Sequence, residues 1–241
     1  MSISLDEAVD LSRTGDVWVF RGRSVPDRAI QFTTNSPVNH VGMAVVLDDM
    51  PPLMWHAELG RSLRDMWTGT HQRGVQLHDL RDAVCVWANR YGQRAWLRQL
   101  EPSADLAMEQ AVLQTVARLD GTPFPSTAQL AWRWARGRVP QLRIPLPLPG
   151  RRDRDGEPAD RQPGDRQPGD RQPGDRQPGD RALETAYCAE VVAVTYEAMG
   201  LLPPGRRPNW YDPGRFWSGD DLDLAGDARL GAEIEVRIPP R

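Results

Sequence analysis

Apolar residues recur along this chain in two rhythms, an alternation typical of strands and a three-to-four spacing typical of helices. Ser4 and Glu7 have the spacing of a capping box, so we expect a short helix over residues 5–12. Runs of apolar β-formers predict strands at DVWVF (16–20), HVGMAVVL (40–47), LMWHAEL (53–59), GVQLHDL (74–80), AVCVWANR (83–90) and AEIEVRI (232–238). The pattern therefore predicts a chain that mixes a substantial sheet with several helices.

Helical spacing predicts further elements at RAIQFTTNS (28–36), at residues 103–119 with Ser103 as the cap, and at TAQLAWRWARG (127–137). The last predicted helix carries Cys188, with Thr185 as its N-cap and Gly200 as its stop signal. We expect this helix to pack against the sheet.

Composition changes sharply between residues 139 and 182, which are rich in Pro, Gly, Asp, Arg and Gln and contain four copies of DRQPG. Each repeat lacks an apolar side chain to bury, so we expect disorder there. The segment is either a tolerated surface loop that expanded in tandem or a lid or partner-binding element. We therefore expect one α+β domain formed by residues 1–138 and 183–241 around this insertion.

The formal net charge of −3 and the scattered arginines argue against a nucleic-acid partner. The N-terminus has neither a basic start nor an apolar core, and no apolar run approaches a membrane span, so we expect a cytoplasmic protein with no transmembrane segment. The two cysteines do not make a disulfide framework. Neither CxxC nor HxxxH spacing occurs, so we expect no metal site and no cofactor.

Cys188 is the strongest candidate for a reactive residue. A thiol near a helix N-terminus is biased toward thiolate by the unpaired backbone N–H groups. A nucleophile also needs a base. His40 and His56 lie on two strands joined by one hairpin, whereas His71 reads as a loop residue and His78 as the polar face of a strand.

The segments GDVWVF, NHVGMAVVL, MWHAELG, RGVQLHDL and AYCAEVV, in this order, resemble the circularly permuted papain-like hydrolases of the NlpC-type superfamily, which also includes lecithin:retinol acyltransferase-like enzymes. The resemblance implies an antiparallel sheet packed against the cysteine-bearing helix. It also implies Cys188 as nucleophile, His40 as base and His56 as the residue that orients the base. The sequence departs from the family pattern at Asn39, where serine or another small residue is usual, and at Ala189, where serine is common.

Glu58 is an alternative to His56 as the residue that orients His40. If DDMPP (48–52) is the hairpin turn, Leu47 faces Leu53 and Glu58 becomes the diagonal neighbour of His40. The resemblance instead pairs His40 with His56, which needs a different strand register. Both candidates point to the same face of the sheet.

The resemblance implies an acyl-enzyme formed on Cys188 from an amide or ester, with a small-molecule, peptide or lipid-like acyl substrate. The Cys188 N–H would be one donor to the developing oxyanion, and Tyr187 or a group near Asn39 would be the second. The alternative is a non-catalytic binding module that retains a papain-like cleft.

Overall fold

The computed structural model describes residues 2–22, 36–58, 60–123, 188–218 and 222–240. These residues belong to one compact unit. Several predictions lie outside them: nearly all of the turn at 28–36, the helix at 127–137, the insertion at 139–182, and the roles of Thr185 and Tyr187.

The described chain contains a seven-stranded sheet, a small two-stranded sheet, four α-helices and two short 3-10 helices. In chain order the elements are β1 (Ser2–Ser4), α1 (Leu5–Leu11), β2 (Val17–Arg21), β3 (His40–Val45), β4 (Leu53–Glu58), β5 (Gly74–Asp79), α2 (Leu80–Tyr91), β6 (Arg94–Arg98), β7 (Leu100–Glu101), α3 (Leu106–Leu119), α4 (Cys188–Ala198), the 3-10 helices Pro208–Trp210 and Pro213–Phe216, β8 (Arg229–Leu230) and β9 (Ile234–Arg237).

The large sheet has the strand order β1-β9-β6-β2-β3-β4-β5. Its pairings are antiparallel except for β1 with β9, which run parallel. The small sheet joins β7 to β8. The result is a mixed α+β fold with a mainly antiparallel sheet, as the sequence predicted.

Helices cover both faces of the sheet, and the alternation of side chains along each strand decides which residues face which helix. Odd-numbered residues of β2 to β5, such as Met43 and Trp55, share a core with α3 and α4. Even-numbered residues such as Phe20 and Met54 share a second core with α1 and α2. Trp55 Nε1 donates a 3.0 Å hydrogen bond to Thr195 Oγ1, which fixes α4 to the odd-numbered face.

Most of the predicted elements are present. The capping box at Ser4 and Glu7 is confirmed by reciprocal hydrogen bonds at the start of α1. The helix that starts near residue 103 is capped by Asp105, whose side chain accepts the Met108 N–H, and not by Ser103. No helix within the described ranges is long and apolar enough to cross a membrane.

The strand predicted at 83–90 is wrong, because this segment forms α2. The Asp79 side chain caps its start by accepting the Asp82 N–H, and Gly92 ends it in the left-handed conformation at φ +65°. The buried residues of α2 include Leu80, Ala83, Val84 and Trp87, which follow a helical spacing. The valines of AVCVWA suggested the alternation of a strand, but Asp79 and Gly92 at the two ends of the segment are the stronger indication of a helix.

Candidate functional site

Four titratable side chains lie on the even-numbered face of three neighbouring strands, beneath α2. They are His40 on β3, His56 and Glu58 on β4, and His78 on β5. His56 and His78 are 0% and 1% exposed, Glu58 is also buried, and His40 is partly exposed. The strands bring these residues together because even-numbered positions of paired strands share one face.

The register between β3 and β4 explains how His40 and His56 meet. Met43 lies opposite Trp55 and Val45 opposite Leu53, which lies midway between the two registers that the sequence allowed. The same register, continued, places Gly42 opposite His56. A Cβ on Gly42 would lie 3.4 Å from the His56 Cβ, so the missing side chain leaves space for the two rings, whose centroids are 5.3 Å apart.

Trp87 of α2 packs over this cluster. Its ring lies 4.8 Å from the His40 ring and 4.6 Å from the His56 ring, measured between centroids. Its Nε1–H donates a 2.8 Å hydrogen bond to Glu58 Oε2. One tryptophan therefore contacts three of the four polar side chains.

A hydrogen-bonded chain runs across β4 and β5. His56 Nε2 lies 3.0 Å from His78 Nδ1, and His78 Nε2 lies 3.0 Å from Gln76 Oε1. Among the described residues, His40 Nε2, His56 Nδ1 and Glu58 Oε1 are buried and have no hydrogen-bond partner. Such atoms are uncommon in folded proteins and call for a physical explanation.

The histidines of the cluster are neutral at ordinary pH. Burial lowers the pKa of His40 to about 3 and that of His78 to about 4. Burial, together with repulsion from His78 and His40, holds the pKa of His56 well below its ordinary value. Burial raises the pKa of Glu58, although the hydrogen bond from Trp87 opposes this shift. Neutral imidazoles keep a nitrogen lone pair available.

His56, Glu58 and His78 form a group whose potential metal-ligating atoms all lie within 4.8 Å of one another. The expectation of no metal site rested on local sequence spacing, and it missed this group because its members come from two paired strands. His78 was assigned correctly to a strand, but its contact with His56 depends on the β4–β5 register, in which Met54 faces His78 and His56 faces Gln76.

The structure does not form the expected pair between Cys188 and His40. Cys188 is buried in the core with Val41 and Met43, on the odd-numbered face, whereas the His40 ring contacts Phe20 on the other face. Within the described part of the chain, His40 Nε2 has no hydrogen-bond partner, and Cys188 is a buried free thiol. Burial raises the pKa of the Cys188 thiol to about 12, and the nearby Val41 N–H offsets this only in part.

The other expected site residues have different contacts from those proposed. His56 lies beside His40, but its hydrogen bond goes to His78, so it does not orient His40 by a hydrogen bond. Glu58 is held by Trp87. Asn39 Oδ1 accepts the Gly22 N–H at 2.6 Å, which ties the start of β3 to the end of β2.

The fold and this cluster define a mixed α+β protein with a buried group of imidazoles and a carboxylate. No family model and no curated protein matches the chain. A similar solved structure is that of the metalloprotein YiiX from Escherichia coli O157:H7, with 19% identity and a TM-score of 0.43. The match covers 77% of this chain and 65% of YiiX, which is less than two thirds of that protein.

Proposed function

We propose that this protein binds a divalent transition metal at the cluster of His56, Glu58 and His78. The observation that supports the proposal is the convergence of their ligand atoms within 4.8 Å in the protein interior. Two imidazoles and a carboxylate are a donor set that suits zinc and neighbouring first-row metals.

The electrostatics of the cluster favour a bound cation. Metal binding requires deprotonated ligands, and the buried histidines already keep their lone pairs free. An ionised Glu58 carboxylate in this environment would be stabilised by one hydrogen bond from Trp87, and its Oε1 has no partner among the described residues. A buried charge without compensation is costly, and a cation would offset that cost.

The proposal is tested by adding Zn²⁺ to chelator-treated protein and measuring bound metal by equilibrium dialysis. We expect about one equivalent of bound zinc, and a stabilisation of about 2.7 kcal/mol when free zinc is about 100 times its Kd. Glu58→Gln, which keeps the side-chain volume and removes the charge, should lose most of the affinity. Glu101→Gln changes an exposed carboxylate and is the matched control. A wild-type chain that retains no zinc after dialysis would refute the proposal.

A second candidate is a thiol hydrolase or acyltransferase of the permuted papain-like class, acting on an amide or ester through Cys188 and His40. It is favoured by the position of Cys188 in the first turn of α4, close to the Val41 N–H, which opposes in part the burial that raises the pKa of the thiol to about 12. This chemistry requires a rearrangement that exposes the sulfur and brings an imidazole to it.

The second candidate is tested by alkylation with iodoacetamide near neutral pH, with the buried Cys85 as the internal control. A nucleophilic Cys188 should react much faster than Cys85, and Cys188→Ser should abolish any ester or amide turnover without unfolding the protein. Equally slow labelling of both thiols would exclude this candidate and leave the non-catalytic binding module.

A further inference from the structure

Half of the unpaired buried side-chain atoms in the described residues lie at one place. Six buried side-chain nitrogen or oxygen atoms in the described residues lack a hydrogen-bond partner, and three of them belong to His40, His56 and Glu58. All three residues border the indole of Trp87. Isolated unpaired atoms have many explanations, but three beside one indole indicate a common ligand.

Hydrogen-bond directions specify which nitrogen of His56 is available. Gln76 Oε1 only accepts, so His78 Nε2 donates to it and the His78 Nδ1 lone pair faces His56. His56 Nε2 therefore carries the hydrogen that it donates to His78 Nδ1. The Gln76 amide orientation is supported by its Nε2, which lies 3.5 Å from the Gly74 carbonyl oxygen. In a neutral His56 the remaining lone pair is on Nδ1, one of the unpaired atoms.

We infer that the metal ligands are His40 Nε2, His56 Nδ1 and Glu58 Oε1, and that His78 and Gln76 form the outer hydrogen-bonded pair. The inference rests on the proposed metal binding and reassigns the role of His78 within it. A ligating histidine commonly donates its other N–H to a neighbouring acceptor, which is the arrangement of His56 and His78.

The ring separations fit a shared metal for His40 with His56 and also for His56 with His78, whose centroids are 4.9 Å apart, so the unpaired nitrogens decide between the two pairs. Two imidazoles on one tetrahedral zinc, each with a Zn–N distance near 2.0–2.1 Å, have ring centroids about 5 Å apart. The His40 and His56 centroids are 5.3 Å apart and their planes cross at 86°. Gly60 lies close to the Glu58 carboxylate, because a Cβ at Gly60 would lie 2.8 Å from the buried Oε1.

Two imidazoles and one carboxylate leave at least one coordination position for water. Catalytic zinc sites have three protein ligands and such an open position, whereas structural sites are closed by four. His40 is the one partly exposed residue of the set, so its edge of the cluster is where a metal ion would enter.

X-ray absorption on the zinc-loaded protein counts the imidazoles bound to the metal and separates the two ligand sets. We expect two imidazoles in the wild type, one in His40→Gln and two in His78→Gln. Loss of the outer partner in His78→Gln should also weaken zinc binding by about 10- to 100-fold. Two imidazoles in His40→Gln together with one in His78→Gln would overturn the inference and leave the proposed metal binding intact.

The outcomes stay distinguishable if a variant is unstable. Circular dichroism and thermal melting first establish that each variant folds, and the His78→Gln count decides the question alone if His40→Gln does not. A count of one in His78→Gln contradicts the inference, and a count of two supports it. A wild-type chain that binds no zinc refutes the proposed function and this inference together.

Discussion

Acidification of the metal-free protein should destabilise it in a way that depends on His78. The folded-state pKa of His78, about 4, lies below the ordinary value of 6.5 because burial disfavours the charged imidazole. Between these two pKa values His78 is therefore protonated in the unfolded chain and neutral in the folded chain. The stability contributed by the neutral ring is fully present above about pH 6.5 and is lost as the pH falls toward about 4.

The magnitude follows from the linkage between protonation and folding. Each pKa unit corresponds to about 1.36 kcal/mol, so a fall from about pH 6.5 to about pH 5 costs about 2 kcal/mol for His78 alone. His40 and His56 act in the same direction, because burial lowers the pKa of both.

Urea unfolding in the presence of a chelator, near neutral pH and at about pH 5, measures this effect. Because other groups also titrate, the informative quantity is the difference between the wild type and His78→Gln. The free energy of unfolding of the variant should fall by about 2 kcal/mol less across this range. Equal losses in the wild type and His78→Gln would refute the reasoning.

Three further predictions concern single side chains. Trp87→Phe removes the hydrogen bond to Glu58 and should lower the free energy of unfolding by about 1–3 kcal/mol in urea titrations. Gly42→Ala places a Cβ 2.4 Å from Met54 Sδ and should cost about 1–3 kcal/mol by the same assay, and an unchanged free energy of unfolding would contradict this. The pKa of Asp120 is raised to about 6 by burial first and by the neighbouring Asp65, so its stabilisation is lost as the pH rises through about 6. Asp120→Asn should therefore raise the melting temperature relative to wild type more at pH 7 than at pH 5, and a constant difference would contradict this.

The neighbourhood of His40 and His56 could be predicted from the sequence, whereas its details could not. Two apolar strands separated by a short polar turn imply a hairpin, and both histidines sit near the same end of it. The register depends on the length of the turn, and Met50 N–H closes it on the Leu47 carbonyl, so that β4 begins at Leu53. Neither register considered from the sequence matched, because no side-chain pattern distinguishes shifts of two residues on a sheet buried on both faces.

The position of Cys188 shows a different limit. Helical spacing placed Thr195 on the face of α4 that packs on the sheet, and its hydroxyl accepts the hydrogen bond from Trp55 of β4. Which face of the sheet receives that helix is a property of the whole topology. The sequence contains no local signal that separates the side of Val41 from the side of His40.

The parallel pairing of β1 with β9 makes the first strand a protective cap on the sheet. Ile3 is aligned with Val236, so the backbone groups of β9 that would otherwise face outward are engaged by residues 2–4. A chain that lacks those residues would present β9 as an exposed edge strand, and exposed edge strands pair with strands of other molecules. Affinity tags and fusion partners that disturb residues 2–4 would thus promote aggregation during purification, although this segment lies outside the imidazole cluster.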